Sequence, residues 1–254
     1  MQVPNFRLDG KVALVTGSSK GLGKAMAFAL GAAGAKVAFN YLRDEAFAKR
    51  TFDEYIGRGY EGGLFRASVI DEAEVQRLNA EITAQLGAID ILVVNATPLQ
   101  PLRRIEDYDW EFYQSMLDFF VKSPYLLARA VLPSMKAKRY GRIINITTEN
   151  FKRGTAPFSA YVAAKGAQVG WSRSMALELA PFDITVNMLA PGWIPVERHE
   201  NDPQHEKDAY RKLIPMNRWG VPSDVGGACV FLASDAASFI TGNDIHVNGG
   251  VTVG

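Results

Sequence analysis

One cysteine, no long uncharged apolar run and almost no net charge distinguish this 254-residue chain. The lone Cys229 cannot close a disulfide within the chain. It lies in the apolar run Ala228-Cys-Val-Phe-Leu232, where a buried structural thiol is expected, and a reducing compartment fits. Twenty-eight Lys and Arg against 27 Asp and Glu leave a formal charge of +1. The basic excess of a sequence-blind nucleic-acid binder is therefore missing. The longest apolar segments are interrupted by charges such as Lys122 and Arg129, which excludes a helical membrane span. The first ten residues lack a basic stretch followed by an apolar core, so no ordinary signal peptide is expected. A soluble, cytoplasmic protein follows as the expectation. The three histidines, His199, His205 and His246, share no ligand spacing, and no metal site is expected.

What is present is alternation. Short apolar runs fall at 12–16, 36–41, 63–67, 89–95, 142–147, 184–190 and 244–247, and helical patterns lie between them, near 21–33, 44–57, 71–86, 107–138, 159–179 and 223–233. Runs such as Ile143-Ile-Asn-Ile146 suit strands covered on both faces. The pattern predicts one α/β domain over 1–254, a doubly wound parallel sheet of about seven strands with helices on both faces. Residues 193–221 break the rhythm with Pro195, Pro203 and Pro215 around a short helical piece near 206–213. An excursion of that length reads either as a lid over a ligand or as surface loop without function.

The first strand runs into Thr16-Gly17-Ser-Ser19-Lys20-Gly21-Leu22-Gly23 at the opening of a helix. Gly17 permits a tight turn, and Gly21 and Gly23 allow close backbone approach, so the free amides of the helix start favour a phosphate. A structural glycine turn is the alternative. Further on, Tyr161 and Lys165 stand four apart on a helical stretch and project from one face, just after the fifth strand.

With three residues between its first two glycines, the turn resembles that of the short-chain dehydrogenase/reductase family. Tyr161-Val-Ala-Ala-Lys165, Pro191-Gly192, Phe231-Leu-Ala-Ser-Asp, Ile240-Thr-Gly242 and Val247-Asn-Gly-Gly250 extend the likeness from about Leu8 to the C-terminus. Within that family the pattern is similar to that of the 3-oxoacyl-(acyl-carrier-protein) reductases. The resemblance implies a Rossmann-like fold and a nicotinamide cofactor. The cofactor would be held by Gly17, Ser19, Lys20, Gly21, Leu22, Gly23, Tyr41, Arg43, Ser68, Val69, Asn95, Ala96, Thr97, Pro191, Gly192 and Ile194, together with Tyr161 and Lys165. An acid selecting NAD would stand at Tyr41 and is absent, while Lys20 and Arg43 suit a 2′-phosphate. NADP(H) is preferred, and NAD(H) stays open because Asp44 and Glu45 follow at once.

By the same resemblance, Tyr161 exchanges the proton in hydride transfer between a carbonyl and an alcohol. Lys165 supplies the positive field that a phenol with pKa near 10 needs. A serine thirteen residues before the tyrosine is replaced by Thr148, which keeps the hydroxyl and adds a methyl; Thr147 points to the other strand face. Three departures from the family pattern stand out. Its helix asparagine maps to Phe120, with Pro124 nearby to kink the helix; the glycine after Asn95-Ala96 is Thr97; and the adenine-side Asp is Ser68. These leave a second reading open, an NADP(H)-binding sensor or oligomer partner with little turnover. An acyl carrier protein is one candidate partner, through Lys136-Ala-Lys138-Arg139, although these cations also complement a helix C-terminus and Phe182 replaces a second expected arginine. Arg103, Arg104, Lys152, Arg153 and Arg198 offer a different guess, an anionic substrate such as a sugar acid, against the plainer reading of solvated charge. Relatives usually form homotetramers through the two long helices, and the small residues Ala163, Ala164, Ala167 and Gly170 would permit it.

Overall fold

The computed structural model describes residues 5–253. Its strands are β1 (Val12–Val15), β2 (Lys36–Tyr41), β3 (Gly62–Arg66), β4 (Ile91–Val94), β5 (Gly141–Ile146), β6 (Ile184–Pro191) and β7 (Asp244–Val247). The helices are α1 (Gly21–Ala32), α2 (Glu45–Gly57), α3 (Glu72–Gln85), α4 (Trp110–Leu117), α5 (Ser123–Lys138), α6 (Asn150–Arg153), α7 (Ser159–Leu179), α8 (Gln204–Arg211) and α9 (Pro222–Ala233). All seven strands pair in parallel in the order β3-β2-β1-β4-β5-β6-β7. The winding direction reverses between β1 and β4, which opens a crevice at their carboxyl ends.

Both faces of the sheet are covered, and this is why the central strands read as unbroken apolar runs. On one face Met26 and Leu30 of α1 and Val225 and Cys229 of α9 meet Val15, Val93, Ile144 and Leu189. On the other, Leu78, Ile82, Leu127, Val131 and Ala176 meet Leu14, Leu92, Ile143 and Val186. Each such side chain contributes roughly 1.5–3 kcal/mol by leaving water. Burial pushes the Cys229 thiol up to about 12, so it packs as an inert hydrophobe.

The long helix expected over 107–138 is interrupted. A five-residue π-helical stretch, Asp118–Lys122, joins α4 to α5, and Pro124 lies in the first turn of α5. A proline there needs no amide partner, and the wider turn accommodates it without breaking the helical path. The 193–221 segment holds a short 3₁₀ turn (Glu197–His199) and α8, and is otherwise irregular. Among the described residues no helix is long and apolar enough to cross a membrane, and no group of three or more His, Cys, Asp or Glu gathers as a metal would require.

Candidate active site

The glycine turn is built by contacts across the β1–β4 crevice. Gly17 and Gly21 have φ of 63° and 60°, the left-handed region that favours glycine. Gly23 is helical, but a Cβ on it would lie 2.4 Å from the Gly17 carbonyl oxygen. Asn95, just past β4, donates its side-chain amide to the Thr16 and Gly17 carbonyls at 2.9 and 3.1 Å. The Thr16 hydroxyl accepts in return from the Asn95 and Ala96 amides at 2.9 and 3.0 Å. The turn is thus shaped before any ligand arrives. The Lys20 side chain makes no capping hydrogen bond to α1.

Along the crevice, Ser19 accepts at its carbonyl from the Thr51 hydroxyl, 2.7 Å, and Leu22 is half-buried behind the turn. Tyr41 ends β2 half-buried, and Arg43 and Lys20 are exposed. Asp44 and Glu45 turn into α2. Asp44 accepts from the Phe47 amide at 2.9 Å, and Glu45 pairs with Lys49 at 2.6 Å, so neither needs to oppose a phosphate. The Ser68 amide donates to Glu74 at 2.7 Å, and Val69 is core. Thr97 is exposed, its hydroxyl bonded by the Gln100 side-chain amide. Pro191 closes β6, the Gly192 amide that follows donates to the Val247 carbonyl at 3.1 Å, and Ile194 is buried.

α7 carries Tyr161 and Lys165 on its buried face. The Tyr161 ring stacks on Phe158, 4.6 Å between centroids, and meets Phe120 edge-on at 5.4 Å. Burial pushes the Tyr161 phenol up; a hydrogen bond with the Thr148 hydroxyl and the positive charge of Arg198 pull it back. Thr148 and Tyr161 are therefore brought together. Thr147 points elsewhere, donating to the Leu189 carbonyl at 3.1 Å and to Asp244 at 2.9 Å.

Lys165 is buried on the same face of α7. Its ammonium donates to the Ile146 carbonyl at 2.5 Å and to Gln168 Oε1 at 3.0 Å. It also sits 3.8 Å above the Phe120 ring centroid, against 5.8 Å for the Tyr161 ring. The phenyl group occupies the asparagine position and offers a π face instead of an amide. Burial, and then the like charge of Arg198, hold the lysine well below its ordinary range, with Asp244 opposing. Phe120 stands within the π-helical turn, only 2% exposed.

Two site residues carried no sequence signal. Glu149, next to Thr148 and 2% exposed, accepts from the Tyr210 hydroxyl at 2.7 Å and pairs with Arg153 at 3.1 Å. Tyr210 in turn accepts from the Trp193 amide at 2.8 Å and stacks on Trp219. The 193–221 segment is docked on the end of β5 through these groups. Each cation of the α5 end has a partner within the chain: Lys138 bonds Asp90, Arg139 bonds Asp183, and Lys136 lies over the Phe182 ring.

Residues 17–252 match the family described as enoyl-(acyl carrier protein) reductase. The chain is a short-chain dehydrogenase/reductase. Among its relatives, the 3-oxoacyl-[acyl-carrier-protein] reductase of Staphylococcus epidermidis is 36% identical over 95% of this chain and 98% of that protein. The 2-dehydro-3-deoxy-D-gluconate 5-dehydrogenase of Formosa agariphila is 34% identical over 99% of this chain and 96% of its own length. The crystal structure of a gluconate 5-dehydrogenase from Burkholderia cenocepacia, in complex with NADP and tartrate, superposes with a TM-score of 0.91 at 32% identity, covering 98% of this chain and 97% of that one. The short-chain dehydrogenase/reductase described here is accordingly an oxidoreductase, of the class that interconverts CH–OH and C=O groups. The family's Rossmann-like sheet is the one seen here.

Proposed function

We propose that this enzyme is an NADP(H)-dependent reductase or dehydrogenase of a small hydroxy or oxo acid, with Tyr161 as its acid/base. The observation that carries the reading is the juxtaposition of Tyr161 and Thr148 at the carboxyl edge of the sheet whose β1–α1 turn has no room for side chains at Gly17 and Gly23. A dinucleotide fits that turn: the Gly21, Leu22 and Gly23 amides would meet its phosphates. Lys20 and Arg43 would meet a 2′-phosphate that Tyr41 leaves unopposed. When bound, the nicotinamide ring supplies or accepts the hydride.

The chain's own residues handle the proton. In reduction, Tyr161 gives its hydroxyl proton to the substrate oxygen while the Thr148 hydroxyl donates a second hydrogen bond to the same atom. Burial keeps the phenol protonated, which favours the donor role. In its protonated form Lys165 would place positive charge beneath the pocket, supported by the Phe120 face and the Ile146 carbonyl. The 193–221 segment acts as the lid. The acid substrate is favoured over a carrier-bound acyl chain because Arg198 places positive charge at Tyr161, whereas the α5 cations are held by Asp90, Asp183 and Phe182. The relatives named for gluconate derivatives point the same way.

Tyr161→Phe tests the reading. Turnover of a carbonyl panel, followed by cofactor absorbance, should fall by about 10²- to 10⁴-fold while NADPH binding, titrated separately and against NADH, persists. Full activity in the variant would dismiss Tyr161 as the acid/base, and equal NADH affinity would dismiss the cofactor preference.

A further inference from the structure

The turn Glu197–His199 lies on the glycine loop. Glu197 Oε2 accepts the Gly21 amide hydrogen at 3.0 Å, across 176 positions of sequence. A Cβ on Gly21 would lie 3.5 Å from Val196 Cγ2 and 3.8 Å from that same carboxylate oxygen, so any side chain there would meet the turn. The turn is closed on itself. Its His199 Nδ1 accepts the Val196 amide at 3.2 Å, and burial and Arg198 push this imidazole down to about 4, leaving it neutral and able to accept.

Gly21 begins α1, whose first amides have no other cap. Such amides attract an anion through both their hydrogens and the helix dipole. Glu197 supplies one. Its oxygen has the same charge sign and the same acceptor chemistry as a phosphate oxygen, and one amide hydrogen cannot serve both in full. Next to Glu197, the positive charge of Arg198 is felt at Tyr161 and Lys165.

We propose that the Glu197 turn is an autoinhibitory plug: its carboxylate holds the Gly21 amide in place of a cofactor phosphate, and a dinucleotide binds by displacing it. This rests on the cofactor reading given above. If the plugged form outnumbers the open one by about ten to one, the apparent dissociation constant is about tenfold weaker than the intrinsic one, equal to about 1.4 kcal/mol.

Two measurements test it. The first is NADPH affinity, by fluorescence titration or calorimetry, for the wild type, Glu197→Ala, Glu197→Gln and Glu200→Gln. Glu200→Gln removes the same charge three residues along, and among the described residues no hydrogen bond or ion pair joins the Glu200 side chain to the loop. Glu197→Ala should bind NADPH about five- to tenfold more tightly, Glu197→Gln should gain less because its amide oxygen still accepts, and Glu200→Gln should stay within about twofold. Unchanged or weaker binding by Glu197→Ala overturns the plug, as does an equal gain by Glu200→Gln, which would make the effect general charge repulsion. The second measurement is cofactor-free: hydrogen exchange of the peptide containing Gly21 should accelerate in Glu197→Ala. Unaltered exchange removes the contact whatever the cofactor does. Absence of NADPH binding in both wild type and variant overturns the cofactor reading itself, and the plug with it.

Discussion

Removing a single oxygen at Tyr210 should loosen the lid. The Tyr210 hydroxyl accepts the Trp193 amide at 2.8 Å and donates to Glu149 at 2.7 Å, tying the start of the 193–221 segment and its helix α8 to the residue beside Thr148. In Tyr210→Phe the ring keeps its stack on Trp219, 5.7 Å between centroids, and its edge contact with Trp193 at 5.5 Å, so the change is confined to the hydroxyl. A hydrogen bond to a buried charged acceptor contributes about 1.5–3 kcal/mol, and stranding the Trp193 amide adds about 1 kcal/mol more. Among the described residues the second Glu149 oxygen has no partner, and losing the Tyr210 bond leaves the first with Arg153. A net loss of about 3 kcal/mol lowers the melting temperature of a chain this size by roughly 6–12 °C. Thermal unfolding followed by circular dichroism reads the first effect, and hydrogen exchange over residues 193–214 shows whether the loss begins in the lid. A melting temperature within about 2 °C of wild type, with unchanged exchange in that segment, would refute the argument.

The remaining predictions concern the lysine and the assembly. Phe120→Leu keeps apolar volume but removes the π face beneath Lys165, a contact of about 2 kcal/mol for a desolvated ammonium. Lys165 already sits below its ordinary range, so losing that support lowers it further, and its cationic form persists only to a lower pH. The alkaline decline of kcat/KM should accordingly begin at lower pH than in wild type; a decline that stays in place or moves upward would exclude the cation–π role. Trp110 of α4, Tyr125 of α5 and Leu177 of α7 are exposed at 70%, 44% and 78%, and these helices are the ones expected to pack on symmetry mates. Light scattering on eluting protein should give about four times the 27.8 kDa chain mass, and a monomer alone would rule the homotetramer out.

Much of the fold was readable because the signals are local. Buried β-branched runs at 12–15 and 141–146 and a helix start at Ser159 follow from patterns a few residues long. Gly17 and Gly21 were visible for the same reason, since a left-handed backbone leaves its mark in the residue type. The widened turn at Asp118–Lys122 was not: Pro124 announces a disturbance, but the π geometry depends on Phe120 packing against Tyr161, 41 positions away in a different helix. Glu149 with Tyr210, and Gly21 with Glu197, are separated by 61 and 176 positions. Nothing in either neighbourhood indicates the partner, because a carboxylate beside a strand end and a glutamate in an irregular segment look like ordinary surface residues. The pairings exist only once the sheet has set β1, β4, β5 and β6 in that order.

The Asn95 clamp also bears on how the protein comes into being. The glycine motif is translated early, yet its carbonyls are gripped by a side chain almost eighty residues downstream. A nascent chain that has emerged only through β3 carries every residue of the motif and lacks the hand that shapes it. Nucleotide affinity should then arrive abruptly during synthesis, when β4 slots beside β1, and not grow in step with length.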